Sequence, residues 1–326
     1  MRDCAGMTGG LGGYWPQMSQ AAKNSKGGVP LIYNPAARSQ RARKFTDDLV
    51  GLSPAPRLFT TSGPGDGRRL AARCAREGEK VVAAAGGDGT LNEVVAGFLD
   101  AAREGHAIPA LGVLPLGTMN VFALEMDLPG DDFENGWKIV TSGREREVDL
   151  WLANGHPMIQ LGGAGLDARV VAETTASLKN RLGPMSYVIN ALRILGEPAP
   201  KLAVDVDDNS FRGALVLFGN GERYAGPARV FPGADPGDGL LDVLVLHQQG
   251  PVDLVGFLGA LAAGKLERFP GITLTKGRRV RVRTAADSPG QGGSGTLPFE
   301  IDGEAVGELP LEIEHSGHRL RVRVGA

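Results

Sequence analysis

The chain has almost no cysteine, only Cys4 and Cys74 among 326 residues. Two thiols can build neither a disulfide framework nor a cysteine-based zinc site, so a reducing, cytoplasmic setting is expected. Histidine is scarce too, at positions 106, 156, 247, 315 and 318, without the His-x-x-x-His spacing of zinc enzymes. These five read as loop or surface residues. No apolar run approaches the roughly 18 to 20 residues that a membrane-spanning helix needs, and the opening lacks the basic-then-apolar order of a secretory leader. Any membrane contact is therefore expected to be peripheral. The most apolar helical stretch, Pro251 to Ala263, is short, carries Asp253 and reads as a core helix. Neither charge is in excess: 35 Lys+Arg stand against 37 Asp+Glu, which excludes the basic footprint of a nucleic-acid binder. No Gly-x-Ser-x-Gly elbow offers a hydrolase nucleophile.

Glycine is abundant, with 49 residues placed mainly after apolar runs, as in a chain with many tight strand-to-helix turns. Residues 1–27 have no periodicity and read as a mobile extension. From there, Val29–Tyr33, Arg57–Thr61, Lys80–Ala85 and Ala110–Leu114 read as strands. They alternate with helices over Ala36–Leu52, Asp66–Glu77 and Thr90–Arg103. This predicts an α/β domain with a parallel sheet over residues 28–145. After Glu145, strands follow one another over Lys201–Val206, Gly213–Phe218, Leu240–His247, Arg279–Arg283, Leu309–Ile313 and Arg319–Val324. A mostly antiparallel β-sandwich domain over 146–326 is expected, interrupted by a helical insert at Ala168–Leu182 and Ser186–Leu195, its last strand able to pack back on the first domain. The Arg/Val alternation near the end reads as a solvated strand face.

The strand ending at Ala85 runs into Gly86-Gly87-Asp88-Gly89-Thr90 and a helix. Glycines let a phosphate approach the backbone, and a helix N-terminus supplies N–H donors and partial positive charge. Thr90 suits a cap or a phosphate oxygen, and Asp88 suits a Mg²⁺ beside that phosphate. A second turn, Gly117-Thr118-Met119-Asn120, follows the next strand and falls at the same carboxyl edge of the sheet, where ligands of open α/β sheets bind.

With these two turns the sequence resembles the diacylglycerol kinase catalytic domain family, which includes bacterial lipid kinases and sphingosine kinases. The resemblance runs from about residue 28 onward. Ile32-Tyr33-Asn34-Pro35 is similar to the family's first strand and Asn-Pro turn, and Thr61 to its nucleotide-contacting threonine. For the loop Phe231 to Val243, the resemblance implies a second, structural Mg²⁺ held by Asp235, Asp238 and the Leu240 carbonyl; two acids three apart suit a hard cation. In Glu300-Ile301-Asp302-Gly303-Glu304, the family pattern makes Glu304 the proton acceptor from the substrate hydroxyl. The chain departs from the pattern at Val121, where the family commonly has Asp in its metal-linked network. The resemblance thus implies transfer of the γ-phosphate of ATP, with Mg²⁺, to a lipid hydroxyl at a membrane surface.

Two other readings stay open. NAD kinases and phosphofructokinases share a similar Gly-Gly-Asp-Gly turn, which allows a soluble acceptor, and a nucleotide-binding regulator without turnover would keep the fold. Gly163-Ala164-Gly165-Leu166-Asp167-Ala168 partly matches a dinucleotide fingerprint, but the ribose-binding acid expected about twenty residues on is missing. The identity of the lipid and the oligomeric state are not legible.

Overall fold

The computed structural model describes residues 28–35, 40–165, 200–224, 226–247, 250–288 and 297–325. The expected extension over 1–27 and the expected helical insert lie outside them. The first half alternates β1 (Pro30–Tyr33), α1 (Gln40–Asp48), β2 (Arg57–Thr60), α2 (Asp66–Arg76), β3 (Val81–Gly86), α3 (Asp88–Arg103), β4 (Ala110–Pro115), α4 (Val121–Glu125) and α5 (Phe133–Ser142). Strands β2, β1, β3 and β4 lie side by side in parallel. Both faces of this sheet are covered, which is why its strands are unbroken apolar runs rather than alternating ones. Ile32, Ala84 and Leu111 pack under Val94 and Phe98 of α3. Leu31, Tyr33 and Ala85 face Phe45 of α1 and Trp137 of α5 on the other side.

Helix α3 starts at Asp88, two residues before the expected start at Thr90. Gly87 is extended and forms the N-cap, and Asp88 places its carboxylate in the first turn, where the helix end is positive. The glycine turn is therefore only Gly86-Gly87, and Gly89 and Thr90 belong to the helix.

The second half contains β5 (Arg144–Ala153), β6 (His156–Met158), β7 (Leu161–Gly165), β8 (Leu202–Val206), β9 (Asn209–Gly213), β10 (Leu215–Gly219) and β11 (Leu241–Leu246). After these come α6 (Pro251–Ala262), β12 (Ile272–Gly277), β13 (Arg279–Thr284), β14 (Pro298–Ile301), β15 (Glu304–Glu308) and β16 (Leu311–Val324). The order β12-β11-β10-β7-β14-β15 makes a six-stranded antiparallel sheet. The remaining strands extend the first sheet to ten, because β16 pairs in parallel with β4 and antiparallel with β5 and β13. The α/β half and the antiparallel half thus share one sheet, which runs across residue 145. The two strands expected at Leu309–Ile313 and Arg319–Val324 are a single strand, with a register shift between His315 and Arg319 where Gly317 has φ +80°.

Between the two sheets, Trp151, Val204, Val216, Phe218, Val243, Val280 and Phe299 form the sandwich core. The arginines of β13 and β16 alternate outward and pair with carboxylates, among them Arg281 with Glu312, Arg283 with Asp205 and Arg321 with Glu145. Exposed pairs of this kind contribute little each, which fits a solvated face.

One expectation is overturned here. The stretch from Pro251 is not a core helix, since only one side of α6 packs on the sheet, through Phe257, with Ala260 and Leu261 half-buried beside it. An apolar sequence all round a helix signals burial only when a second layer covers its outer side, and α6 leaves Val252, Val255 and Leu258 exposed. Among the described residues, no helix is long and apolar enough to cross a membrane.

Candidate active site

The ends of the parallel strands bring most of the expected residues together. The Asn34 amide donates to the Ala85 carbonyl, that of Thr61 to Tyr33 and that of Leu116 to Gly86. Asn34, Thr61, the Gly86-Gly87 turn and the Gly117 turn therefore stand at one edge. The Asn34 side chain donates to Thr90 Oγ1 at 3.2 Å, tying β1 to the first turn of α3.

The glycines let separate elements approach closely. A Cβ on Gly117 would lie 2.6 Å from the Gly87 Cα, so the two turns are pressed against one another. A Cβ on Gly89 would lie 2.7 Å from Glu304 Oε1, so this glycine leaves the space that Glu304 occupies. That contact brings the expected base, at the start of β15 on the second sheet, to the first turn of α3.

Asp88 bridges the turns from below. Its two carboxylate oxygens accept the Val121 and Phe122 amides, both at 3.3 Å, so it caps α4. Burial raises its carboxyl above the usual Asp range, with those amides pulling the other way. Asn120 does not reach outward: its side chain accepts from the Gly117 amide and donates to the Gly117 carbonyl, closing its own turn at φ +48°. Thr118 is exposed at the rim, and Val121 is buried.

The reading from sequence missed Asn92, Asp302 and Glu93. Asp302 is buried and accepts the Ile159, Gln160 and Leu161 amides at 3.0–3.1 Å and the Asn92 side chain at 2.8 Å. Asn92 also donates to the Pro157 carbonyl. The pair fastens the Asp302-Gly303 hairpin, and hence Glu304, to the helix that follows the glycine turn. Glu93 accepts the Gly65 and Gly67 amides, fixing the loop after Thr61. Asn92 lies four residues after Asp88, one helical turn on, a spacing that could have flagged it. The partner of Asn92 lies 210 residues away in sequence and could not be read there.

Two predictions arise here. Asn92→Ala removes the strut without touching the reacting groups. It is expected to lower kcat about tenfold with the KM for nucleotide nearly unchanged, where a purely structural role would lower the melting temperature and leave kcat per folded molecule intact. The second concerns pH. Burial pushes the Asp302 carboxyl up to about 6, against the pull of its four donors. Between about 4 and 6 the folded chain then holds a proton that the unfolded chain releases. This contribution to stability is full at the acid end and is lost as pH rises through 6. Denaturant unfolding of Asp302→Asn should show lower stability at every pH and a flatter slope across that window than the parent chain. An unchanged slope would contradict the assignment.

A cleft of about 40 Å³ lies between Gly89, Asn92, His156, Pro157, Ile301, Asp302, Glu304 and Val306. A larger open hollow, about 540 Å³, lies elsewhere, among Asp207, Arg278, Arg279, Arg281 and Glu314. Carboxylates already answer two of its arginines, as in Arg279 with Glu314, and it contains none of the turn residues. The small cleft, lined by Gly89 and Glu304, is therefore the candidate site. His156, expected as a loop or surface residue, is exposed but stands at this cleft. His315 corrects that expectation, since it is half-buried in β16 with its ring 5.4 Å from Trp151 and Nε2 3.3 Å from Asp149.

Asp235, Asp238 and Leu240 do not join the glycine turns; their contacts run to β5, β12 and the loop itself. Asp235 Oδ1 accepts the Gly237 amide and lies 3.4 Å from Arg146, and Asp238 accepts the Leu240 amide and faces Lys276 at 3.5 Å. The buried Asp149 holds the loop by accepting the Gly239 amide at 2.6 Å, with Arg319 at 3.1 Å. Among the described residues no three His, Cys, Asp or Glu side chains converge as a metal cage. Two carboxylates and a carbonyl fit only a cation that keeps most of its water, as Mg²⁺ does. Asp88 fits a cation better, because it is half-buried and has no Lys or Arg partner among the described residues.

Residues 29–153 match the diacylglycerol kinase catalytic domain, and residues 162–324 match the YegS C-terminal NAD kinase beta sandwich-like domain. A diacylglycerol kinase of Staphylococcus aureus (strain bovine RF122 / ET3-1) is 30% identical over 287 residues, 86% of this chain and 87% of that protein. The counterpart from strain MRSA252 is equally similar. A crystal structure of a diacylglycerol kinase from Bacillus anthracis str. Sterne superposes with a TM-score of 0.68 at 23% identity, over 91% of this chain and 97% of that one, which is a likeness of fold.

Proposed function

Because the chain belongs to the diacylglycerol kinase catalytic domain family, we propose that it transfers the γ-phosphate of ATP to the hydroxyl of diacylglycerol or a related lipid. The observation that carries this reading is the meeting of Glu304 with Gly89. It sets an exposed carboxylate beside the first turn of α3, which supports a base at the point where, in this reading, the acceptor hydroxyl approaches.

In this reading the turns Gly86-Gly87 and Gly117 and the first amides of α3 cradle the phosphates, with Asn34 and the buried Thr61 and Thr90 beside them. Thr118 stands nearby, and Asn120 acts indirectly by shaping its turn. Asp88 would hold Mg²⁺ on the phosphates, which supplies neutralisation of the charge that builds during transfer. Glu304 accepts the hydroxyl proton as the oxygen attacks phosphorus, and Asn92 and Asp302 keep it aimed. Asp235, Asp238 and the Leu240 carbonyl would hold a second, hydrated Mg²⁺ that stiffens the loop. The lipid reaches the cleft from a membrane to which the protein binds peripherally.

The test is to offer total lipid extract and, in a parallel reaction, NAD, each with γ-labelled ATP and magnesium, and to identify the labelled product by mass. Label in a phosphorylated diacylglycerol, monoacylglycerol or sphingoid base supports the proposal. Label only in NAD would replace it with the soluble-acceptor reading, and ATP binding without any labelled product would favour a regulator.

A further inference from the structure

The part of the fold without an evident purpose is the outer side of α6. Val252 is 83% exposed, Val255 66% and Leu258 46%, while Phe257 turns inward onto the sheet. At about 100° per residue the three fall on one face together with Gly259 and Ala262. No charged residue occurs between Asp253 and Lys265, and the Asp253 carboxylate is engaged, accepting the Gly250 amide at the helix start. The surface of the longer helices of the first half is different in kind. Helix α2, for example, bears Arg68, Arg69, Arg73 and Arg76, each paired with a carboxylate. At the far end of α6, Lys265 and Arg268 are exposed and have no carboxylate partner among the described residues, with one exposed acid, Glu267, between them.

We propose that this face docks on an anionic lipid surface. Helix α6 lies in the plane of the interface, with Val252, Val255 and Leu258 entering the acyl boundary and Lys265 and Arg268 meeting headgroup phosphates. A second copy of the chain fits the face poorly, because a stable protein interface buries about 800 Å² per partner. Three protruding side chains and a strip of Gly and Ala fall well short of that. A bilayer asks for no complementary flat surface, since each side chain that enters it gains independently. The proposal draws on the lipid-kinase reading only for the kind of surface, and it is read without turnover.

The experiment is flotation of the full chain with vesicles of phosphatidylcholine, alone or mixed with phosphatidylglycerol, at low and high salt. The parent chain is expected to float with the mixed vesicles and to release partly at high salt. Val255→Asp, and separately Val252→Ser, should lower the bound fraction at least tenfold with an unchanged melting temperature. The double variant Lys265→Gln with Arg268→Gln should bind more weakly and lose the salt dependence. Equal binding by parent and Val255→Asp overturns the proposal. So does a parent dimer that Val255→Asp converts to a monomer while vesicle binding stays the same. A water-soluble short-chain diacylglycerol separates the two readings. Unchanged turnover of it by Val255→Asp, beside lost vesicle binding, supports the docking face. Failure of both proteins to phosphorylate it counts against the kinase reading and leaves the vesicle result standing.

Discussion

Glu304→Gln is expected to lower kcat about a thousandfold, in the range that loss of a general base produces, while the dissociation constant for ATP changes less than about threefold. The reason is geometric. Glu304 follows the hairpin turn between β14 and β15, lies against Gly89 in the first turn of α3, and is exposed, so its replacement leaves the backbone of the Gly86-Gly87 turn untouched. Its local turn is held by other groups: the Gly303 amide donates to the buried Glu300, and Asp302 is held by three backbone amides and Asn92. The fold should therefore survive, with a melting temperature within a degree or two of the parent. Single-turnover measurement with labelled ATP would separate the outcomes. A variant that transfers phosphate at the parent rate removes Glu304 from the chemistry.

Gly117→Ala is expected to weaken ATP binding at least tenfold and to cost about 1–3 kcal/mol of stability, the range of an overpacked contact. The added methyl would lie 2.6 Å from the Gly87 Cα and as close to Asn120 Oδ1. Neither neighbour yields cheaply. Gly87 is the N-cap of α3, and Asn120 is bound at both ends to the Gly117 backbone. The turns must separate, and with them the amides that would face the phosphates. Calorimetric titration of ATP alongside denaturant unfolding would test this. Parent-like affinity would show that the nucleotide does not rest on the contact between the two turns.

The expected catalytic and nucleotide residues were legible to different depths. Gly86, Gly87 and Gly117 announced themselves because glycine at the end of a buried strand is a local signal, readable within a few residues. Their closest neighbours were not readable, for Gly87 meets Gly117 across two strands. Asn120 was expected at the ligand because of its place after a Gly-Thr pair, and the fold turns it back onto Gly117 instead. Asp302 was visible only as half of an Asp-Gly turn, and its burial against Ile159, Gln160 and Leu161 depends on β14 lying beside β7. Asp149 gave no signal beyond being one acid in the apolar run Val148 to Trp151.

Strand and helix periodicity and turn chemistry are short-range properties, so the parallel α/β half, the antiparallel half and the two glycine turns were legible in the residues alone. The folded chain alone shows that β16 joins both halves in one sheet, that Glu304 comes to rest at Gly89, and that the apolar α6 stays on the surface. Each of these depends on packing between segments far apart in the chain. Such packing is set by which faces the layers cover, and a local pattern carries no record of it.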